Sequence, residues 1–403
     1  MSAEQKLPLA GVRVLELGVL LAGPYAGRLL AEFGAEVIKV EAPGMGDPLR
    51  DWGQHRVNGR SLWWPVQSRN KRLITLNLRE PEGQKLCRQL AVECDVLIEN
   101  FRPGTLERWG LGPEDLKEVN PDLIYARVSG YGQTGPYSSR AGFASVGEAM
   151  GGIRYINGYP GQAPPRAGIS LGDSLAAMFA TLGILIALHN RTANGGTGQV
   201  IDASIAESCF ALLESMVPEY GLVGSVRSPS GTALDHVAPS NLYESKDGKW
   251  VIIAANTGPM WRRLCETIDR RDLLEDPRFA THFDRGKNRE ALDDVVARWV
   301  SERTAEEIDQ ILAEAGIACG PVNTIADIFA DRHFQERDMI ITMDDPEIGT
   351  MPAPGIVPKL SATPGRAIET GAWALGAHNE GVFGELLGLN TEDLARLTEA
   401  GII

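Results

Sequence analysis

Short apolar runs alternate with amphipathic stretches through the first half of the chain. VRVLEL (12–17) reads as a short buried strand. LAGPYAGRLLAEFG (21–34) follows with apolar residues at helical spacing and stops at Gly34, and AEVIKVE (35–41) is a second strand. Such a βαβ unit predicts a parallel sheet, whose strands are apolar on both faces because helices cover both sides. The alternation recurs. RLITLNL (72–78) reads as a strand, PEGQKLCRQLAVEC (81–94) as a helix opened by proline, and DVLIENF (95–101) as a strand. PEDLKEVN (113–120) is a short helix, and LIYARVSGYG (123–132) is a strand that runs into a glycine-rich loop. The fold class is α/β, with a Rossmann-like first half.

The pattern then changes. Residues 174–190 are apolar on nearly every side, which predicts a buried helix, and VIDASIAES (200–208) adds a strand and a helix start. Residues 221–236 are rich in Gly, Ser and Thr and read as a linker. LYESKDGKWVIIAAN (242–256) predicts a hairpin turning at Asp247-Gly248, followed by helices near 260–268, 288–301 and 304–315. Scattered Pro and Gly fill the chain from about 320, up to a final helix at 379–387. With 403 residues the chain exceeds a single usual core, so two domains are expected.

Composition narrows the function. A net charge of −14 disfavours a nucleic-acid binder, which needs Lys and Arg to displace counterions from phosphates. Five cysteines, none in CxxC spacing, predict neither a disulfide framework nor a zinc cage. The stretch 175–189 is too short to span a bilayer, and no basic-then-apolar leader opens the chain, so a cytoplasmic enzyme is expected. The first βα turn reads ELGVLLAGPYAG and lacks GxGxxG, which disfavours NAD. No GxxxxGK[ST], HExxH or GxSxG is read in the chain.

Six blocks carry a family resemblance: LAGPYAGRLLAEFGAEVIKVEAPGMGDPLR, NKRLITLNLREPEG, DVLIENFRPGTLERWGL, YARVSGYGQTGPYSSRAG, ISLGDS and GIACGPVNT. Together, and in this order, they resemble class III CoA-transferases over nearly the whole chain. The resemblance implies a large CoA-binding domain from 1–220 plus 325–403, a small α+β domain at 221–324, and an interlocked ring-like dimer. It implies coenzyme A as part of the substrate, with no metal and no NAD.

By the same resemblance the nucleophile is Asp173, in Gly172-Asp173-Ser174. A carboxylate of pKa about 3.9 is ionised at neutral pH and can attack a thioester to give a mixed anhydride, then an aspartyl-CoA thioester. Gly172 would leave room for the acyl group, and its backbone N–H, or a neighbouring one, would help hold a developing oxyanion. From the residue type alone, Asp173 is equally suited to cap a helix starting at Ser174. Leu20 and Ala22 match the loop at the acyl end of CoA, while Leu76, Arg79, Asn100, Phe101, Arg102 and Arg108 match the coenzyme channel. Lys71 and Arg72 are further candidates for its phosphates.

Racemases of this fold carry a proton-transferring His about thirty residues before the Asp. Phe143 stands there and cannot move protons, which disfavours that activity. The PPRAGISLGD segment resembles the dicarboxylate branch, with succinyl-CoA as donor and a C4–C5 dicarboxylate or substituted succinate as acceptor. Arg154 or Arg166 is then expected to clamp the distal carboxylate, Leu21 and Phe143 to line the acyl pocket, and His236 to lie on a closing loop. His378 is expected to pack or position rather than catalyse. The partners are acyl-CoA, the acceptor acid and a second chain: a copy of this one, or a homologous subunit as in benzylsuccinate-type enzymes. Neither nucleic acid nor membrane is expected.

Overall fold

A computed structural model describes residues 6–234 and 237–403. The chain divides into two compact units. One comprises the residues up to Ile153, Arg166–Ser215 and His333–Ile403; the other comprises Arg154–Pro165 and Met216–Arg332.

The first unit is built on six parallel strands: β1 (Arg13–Glu16), β2 (Glu36–Glu41), β3 (Lys71–Thr75), β4 (Val96–Glu99), β5 (Ile124–Ser129) and β6 (Val200–Ser204). Their spatial order is β3-β2-β1-β4-β5-β6, the doubly wound arrangement expected from the sequence. Successive residues serve opposite faces. Val14, Val37 and Ile98 pack into one core with α1 (Ala22–Glu32) and the long helix, while Leu15, Ile38 and Leu97 pack into the other with α2 (Pro81–Val92). The chain's end completes that second face, where Val382, Phe383, Ile402 and Ile403 are buried against Leu86 and Leu90. Two-sided burial explains why these strands are rich in Val, Ile and Leu on both faces, although buried charges such as Glu16, Lys39 and Lys71 interrupt them.

Three more helices shape the site: α3 (Ala144–Met150), α4 (Leu171–Asn194) and α5 (Ile205–Phe210). Helix α4 starts three residues before the predicted Ser174 and runs for 24 residues, long and apolar enough to cross a membrane by composition alone. This corrects the estimate of a stretch too short to span. In the fold its small residues Ala176, Ala177, Ala180 and Ala187 are fully buried on the sheet, as befits a core helix. Its other face leaves Met178, Leu182, Leu185 and Ile186 exposed.

The second unit is a three-stranded antiparallel sheet, with Trp250–Ala254 between Ser240–Glu244 and Ala318–Pro321. The predicted hairpin forms, with Gly248 at φ 75° in its turn. Trp261, Leu264, Val296, Ile308 and Leu312 bury the apolar faces of its helices. The stretch from 216 to 223, partly assigned to a linker, is helical. In the first unit, the region read as irregular after 320 contains a hairpin, Ile340–Asp345 with Gly349–Pro354. Asn379–Leu387 is followed by one further helix, Thr391–Glu399.

Candidate active site

In a doubly wound sheet, ligands bind beyond the carboxyl ends of the strands where the order reverses, here between β1 and β4. Asn100, the residue after β4, clasps the loop after β1: its Oδ1 accepts from Val19 N–H at 2.9 Å and its Nδ2 donates to Val19 O at 2.9 Å. The next residue, Leu20, takes a left-handed φ of 62°, a conformation that costs a leucine about 1–2 kcal/mol. It is held there by Asp47, whose two carboxylate oxygens accept from Leu20 N–H at 3.1 and 3.2 Å. Beneath the loop lies a buried charge cluster. Lys39 pairs with Asp47 at 2.8 Å and Glu16 at 3.2 Å and donates to Gly18 O at 2.8 Å. Lys71 pairs with Glu16 at 2.7 Å and donates to Pro24 O at 2.7 Å. Burial, only partly offset by Glu16, brings the Lys71 ammonium down to about 8. Burial pushes Asp47 up, but Lys39 outweighs it and holds the carboxyl below the usual range.

Above this loop is a cavity of about 160 Å³ lined by Leu20, Leu21, Ala22, Asn100, Ser129, Phe143, Ile205 and Asp173. A second cavity of about 250 Å³ lies along the ends of β1, β2 and β3, lined by Ala42, Leu76, Arg79, Phe101 and Trp109. Val19 lines both, so the two form neighbouring parts of one elongated site. Phe101 and Trp109 make an edge-to-face aromatic wall, with centroids 5.6 Å apart. Arg79 stands exposed at the rim.

Asp173 is the third residue of α4, inside the first helical turn, and the helix is preceded by Ser170. The reading of Asp173 as the cap of a helix starting at Ser174 is therefore overturned. Burial first, and the neighbouring Glu148 carboxylate second, lift the Asp173 carboxyl from 3.8 to about 6, with Arg166 opposing. Gly172 also departs from expectation. Its N–H donates to Glu148 Oε1 at 3.1 Å and is already engaged, so it is no free oxyanion donor. A Cβ on Gly172 would lie 2.8 Å from Ile205 Cγ2, 3.0 Å from Ala144 O and 3.2 Å from Glu148 Cγ. The glycine thus permits close packing of α4 on α3 and α5, and the room it makes is filled by protein.

The family model for CoA-transferase family III matches residues 9–379. The chain belongs to this family. It is 53% identical over 396 residues, 98% of either chain, to succinyl-CoA–D-citramalate CoA-transferase of Chloroflexus aurantiacus. It is 41% identical to the alpha subunit of succinyl-CoA–L-malate CoA-transferase from the same organism, covering 100% of this chain and 94% of that one. A CaiB/BaiF family protein from Brucella suis superposes with a TM-score of 0.82 at 35% identity, covering 95% of this chain and 100% of its own.

The remaining transferase candidates divide clearly. Arg102 and Arg108 are exposed and line neither cavity; Arg108 donates to Thr105 Oγ1 at 3.1 Å. Lys71 is buried under the loop, and Arg72 pairs with Glu36 at 2.7 Å and Glu385 at 2.9 Å, so both are already committed to carboxylates. Arg166 is exposed, with its charge felt at Asp173. Arg154 belongs to the second unit, where its Nε donates to Pro164 O at 3.4 Å. His236 lies outside the described residues. His378 splices the edge strand: its Nδ1 accepts from Leu73 N–H at 2.8 Å and its own N–H donates to Leu73 O at 3.0 Å.

Two motif strings lie away from the first βα turn: GYGQTG at Gly130–Gly135 and GISLG at Gly168–Gly172. Neither has the context its chemistry needs. The first opens no helix, since α3 begins only at Ala144, and the second enters α4 from a loop rather than a strand. The sequence reading missed Glu148, Asp47, Lys39 and Trp109. Glu148 had no distinguishing signal, because a glutamate on a short helix ordinarily faces water. The DVLIENFRPGTLERWGL block did contain Trp109 and was the available pointer to it.

Proposed function

We propose that this chain transfers CoA from succinyl-CoA to a C4–C5 dicarboxylate through covalent intermediates on Asp173. The observation that carries the reading is a half-buried, desolvated carboxylate on the wall of one cavity, adjoining a second cavity with an aromatic wall and an arginine at its rim. The second cavity suits the nucleotide end of CoA: Arg79 for phosphate, Phe101 and Trp109 for flat contacts. Leu20, Ala22, Leu76 and Asn100 would line the path to the thioester, with Leu21 and Phe143 beside the acyl group.

In this mechanism an Asp173 oxygen bonds to the succinyl carbonyl carbon, the C–S bond breaks and CoA leaves as thiolate. The thiolate then attacks the aspartyl carbonyl of the anhydride, forming an aspartyl-CoA thioester and releasing succinate. The acceptor carboxylate attacks that thioester, and the returning thiolate takes the new acyl group and frees Asp173. Desolvation serves this chemistry by keeping the carboxylate basic and water away from the anhydride. The acceptor class rests on relatives named for citramalate and malate. Arg166, whose charge reaches Asp173, is the better placed clamp for the distal carboxylate; Arg154 is the other candidate.

A second chain is part of the reading. Exposed Met178, Leu182, Leu185 and Ile186 on α4 form an apolar face suited to burial by a partner, either a copy or a homologous subunit. A CoA-thioester substrate and five free thiols suit a cytoplasmic setting.

The test is intact-protein mass spectrometry after mixing with succinyl-CoA and trapping with hydroxylamine, on wild type and Asp173→Ala. A hydroxamate at Asp173 in the wild type alone is expected. Absence of any adduct with succinyl-CoA or another dicarboxyl-CoA would overturn the covalent mechanism.

A further inference from the structure

Behind Asp173 sits a charge that its reaction, as proposed above, does not use directly. Glu148 on α3 is 2% exposed, and among the described residues no cation pairs with it. Among the described residues its one hydrogen bond is the 3.1 Å contact from Gly172 N–H, at the residue before Asp173. A buried carboxylate without a counter-ion is costly and is ordinarily replaced by an apolar side chain. We propose that Glu148 is a positioning residue for the nucleophile: it pins the first turn of α4 through Gly172, and its charge presses on the Asp173 carboxylate across that turn.

Two groups besides Glu148 and Asp173 define this neighbourhood. Arg166, from the loop before α4, attracts Asp173 but does not pair with Glu148. Cys209, on α5, is raised to about 11, by burial first and then by Glu148 and Asp173, so it remains a neutral thiol facing both carboxylates. Among the described residues, Glu148 and Arg166 are the charges felt at Asp173. Like charges held close favour the state in which one of them is lost. When Asp173 oxygen bonds to the acyl carbon and the C–S bond breaks, the negative charge leaves on the CoA thiolate and the repulsion from Glu148 ends. The arrangement thus raises the basicity of the free nucleophile and is relieved as the anhydride forms.

This inference rests on Asp173 as nucleophile, but its test does not need turnover. The carboxyl carbon of Asp173 is followed by NMR in protein labelled with aspartate 13Cγ, assigned by loss of the signal in Asp173→Asn, and titrated in wild type and Glu148→Gln. Glutamine keeps an acceptor for Gly172 N–H and removes only the charge; thermal unfolding verifies that the variant folds. The Asp173 midpoint should fall by about one pH unit in Glu148→Gln. In wild type that forms the adduct, the acylation plateau should drop about threefold in the variant, for a Brønsted slope of about 0.5, with KM for succinyl-CoA unchanged. An Asp173 midpoint that is the same in both proteins would overturn the role of Glu148. Failure of the wild type to form the adduct would instead remove the nucleophile reading and leave the titration to be judged alone.

Discussion

Replacing Asp173 by asparagine should abolish transfer and make the protein more stable at alkaline pH. A carboxyl whose affinity for its proton rises on folding, here from 3.8 to about 6, favours the native state while protonated and opposes it once ionised. Below about pH 3 both folded and unfolded forms hold the proton and Asp173 adds almost no penalty. As pH rises through the window from 3.8 to about 6, the unfolded chain ionises first and the folded chain later, at growing expense. Above about pH 7 both are ionised and the full difference applies. At about 1.4 kcal/mol per tenfold change in proton affinity, the ceiling is about 3 kcal/mol. Asp173 retains access to the cavity, so solvent screening reduces this to about 1–2 kcal/mol. Asparagine matches the shape and carries no charge, so it recovers that amount at pH 8 and almost none at pH 3. Thermal unfolding of the unit that contains residue 173 is the assay, with an expected rise in Tm of about 2–6 °C at pH 8. The gain should shrink as pH falls through the same window. A variant no more stable than wild type at pH 8, or equally stabilised at both extremes, would refute the claim that desolvation and Glu148 strain this carboxylate.

Gly172→Ala should cost about 1–3 kcal/mol by overpacking, since its Cβ would stand 2.8 Å from Ile205 Cγ2 and 3.0 Å from the Ala144 carbonyl; a lowered Tm together with slowed acylation checks it, and an unchanged Tm would mean that α3 and α5 yield freely. Arg79→Ala should raise KM for succinyl-CoA about tenfold, the worth of one charge-assisted phosphate contact, and leave KM for a succinyl-pantetheine thioester unchanged; equal effects on both would move the nucleotide elsewhere.

The parts of the fold that were legible share one physical cause. Central strands packed between two layers are rich in Val, Ile and Leu, and the helices covering them are amphipathic, so β1 to β5, α1 and α2 announce themselves in the residue pattern despite the charges that β1, β2, β3, β4 and β5 also carry. Helix α3 did not, because Gly147 within it and Gly151 and Gly152 just after it break the pattern; those glycines are there for packing, since a Cβ at Gly147 would lie 2.4 Å from Ile205 Cγ2. The helix Thr391–Glu399 was readable and was passed over: Asn390 caps it and Asp393 reaches back, a capping box spelled out in the residues.

The site divides along a different line. Asp173 could be found because its local context is contiguous, whereas the meaning of each charge around it depends on partners far away in the chain. Lys71 looked like a phosphate ligand until Glu16, 55 positions earlier, neutralised it under the loop. Arg72 was claimed in the same way by Glu385 from the C-terminal segment. Glu148 runs in the opposite sense: it reads as a surface residue and is buried, with no cation paired to it among the described residues. Residue type states which charge is present, but desolvation and pairing decide what the charge does, and both are properties of the packed sheet and its helices. A cation with a buried partner is therefore scaffold, like Lys39 and Lys71 beneath Leu20, whereas a buried anion with no cation among the described residues, set beside a second carboxylate, is the place where the proposed reaction would relieve a repulsion, and the Glu148→Gln titration decides whether it does.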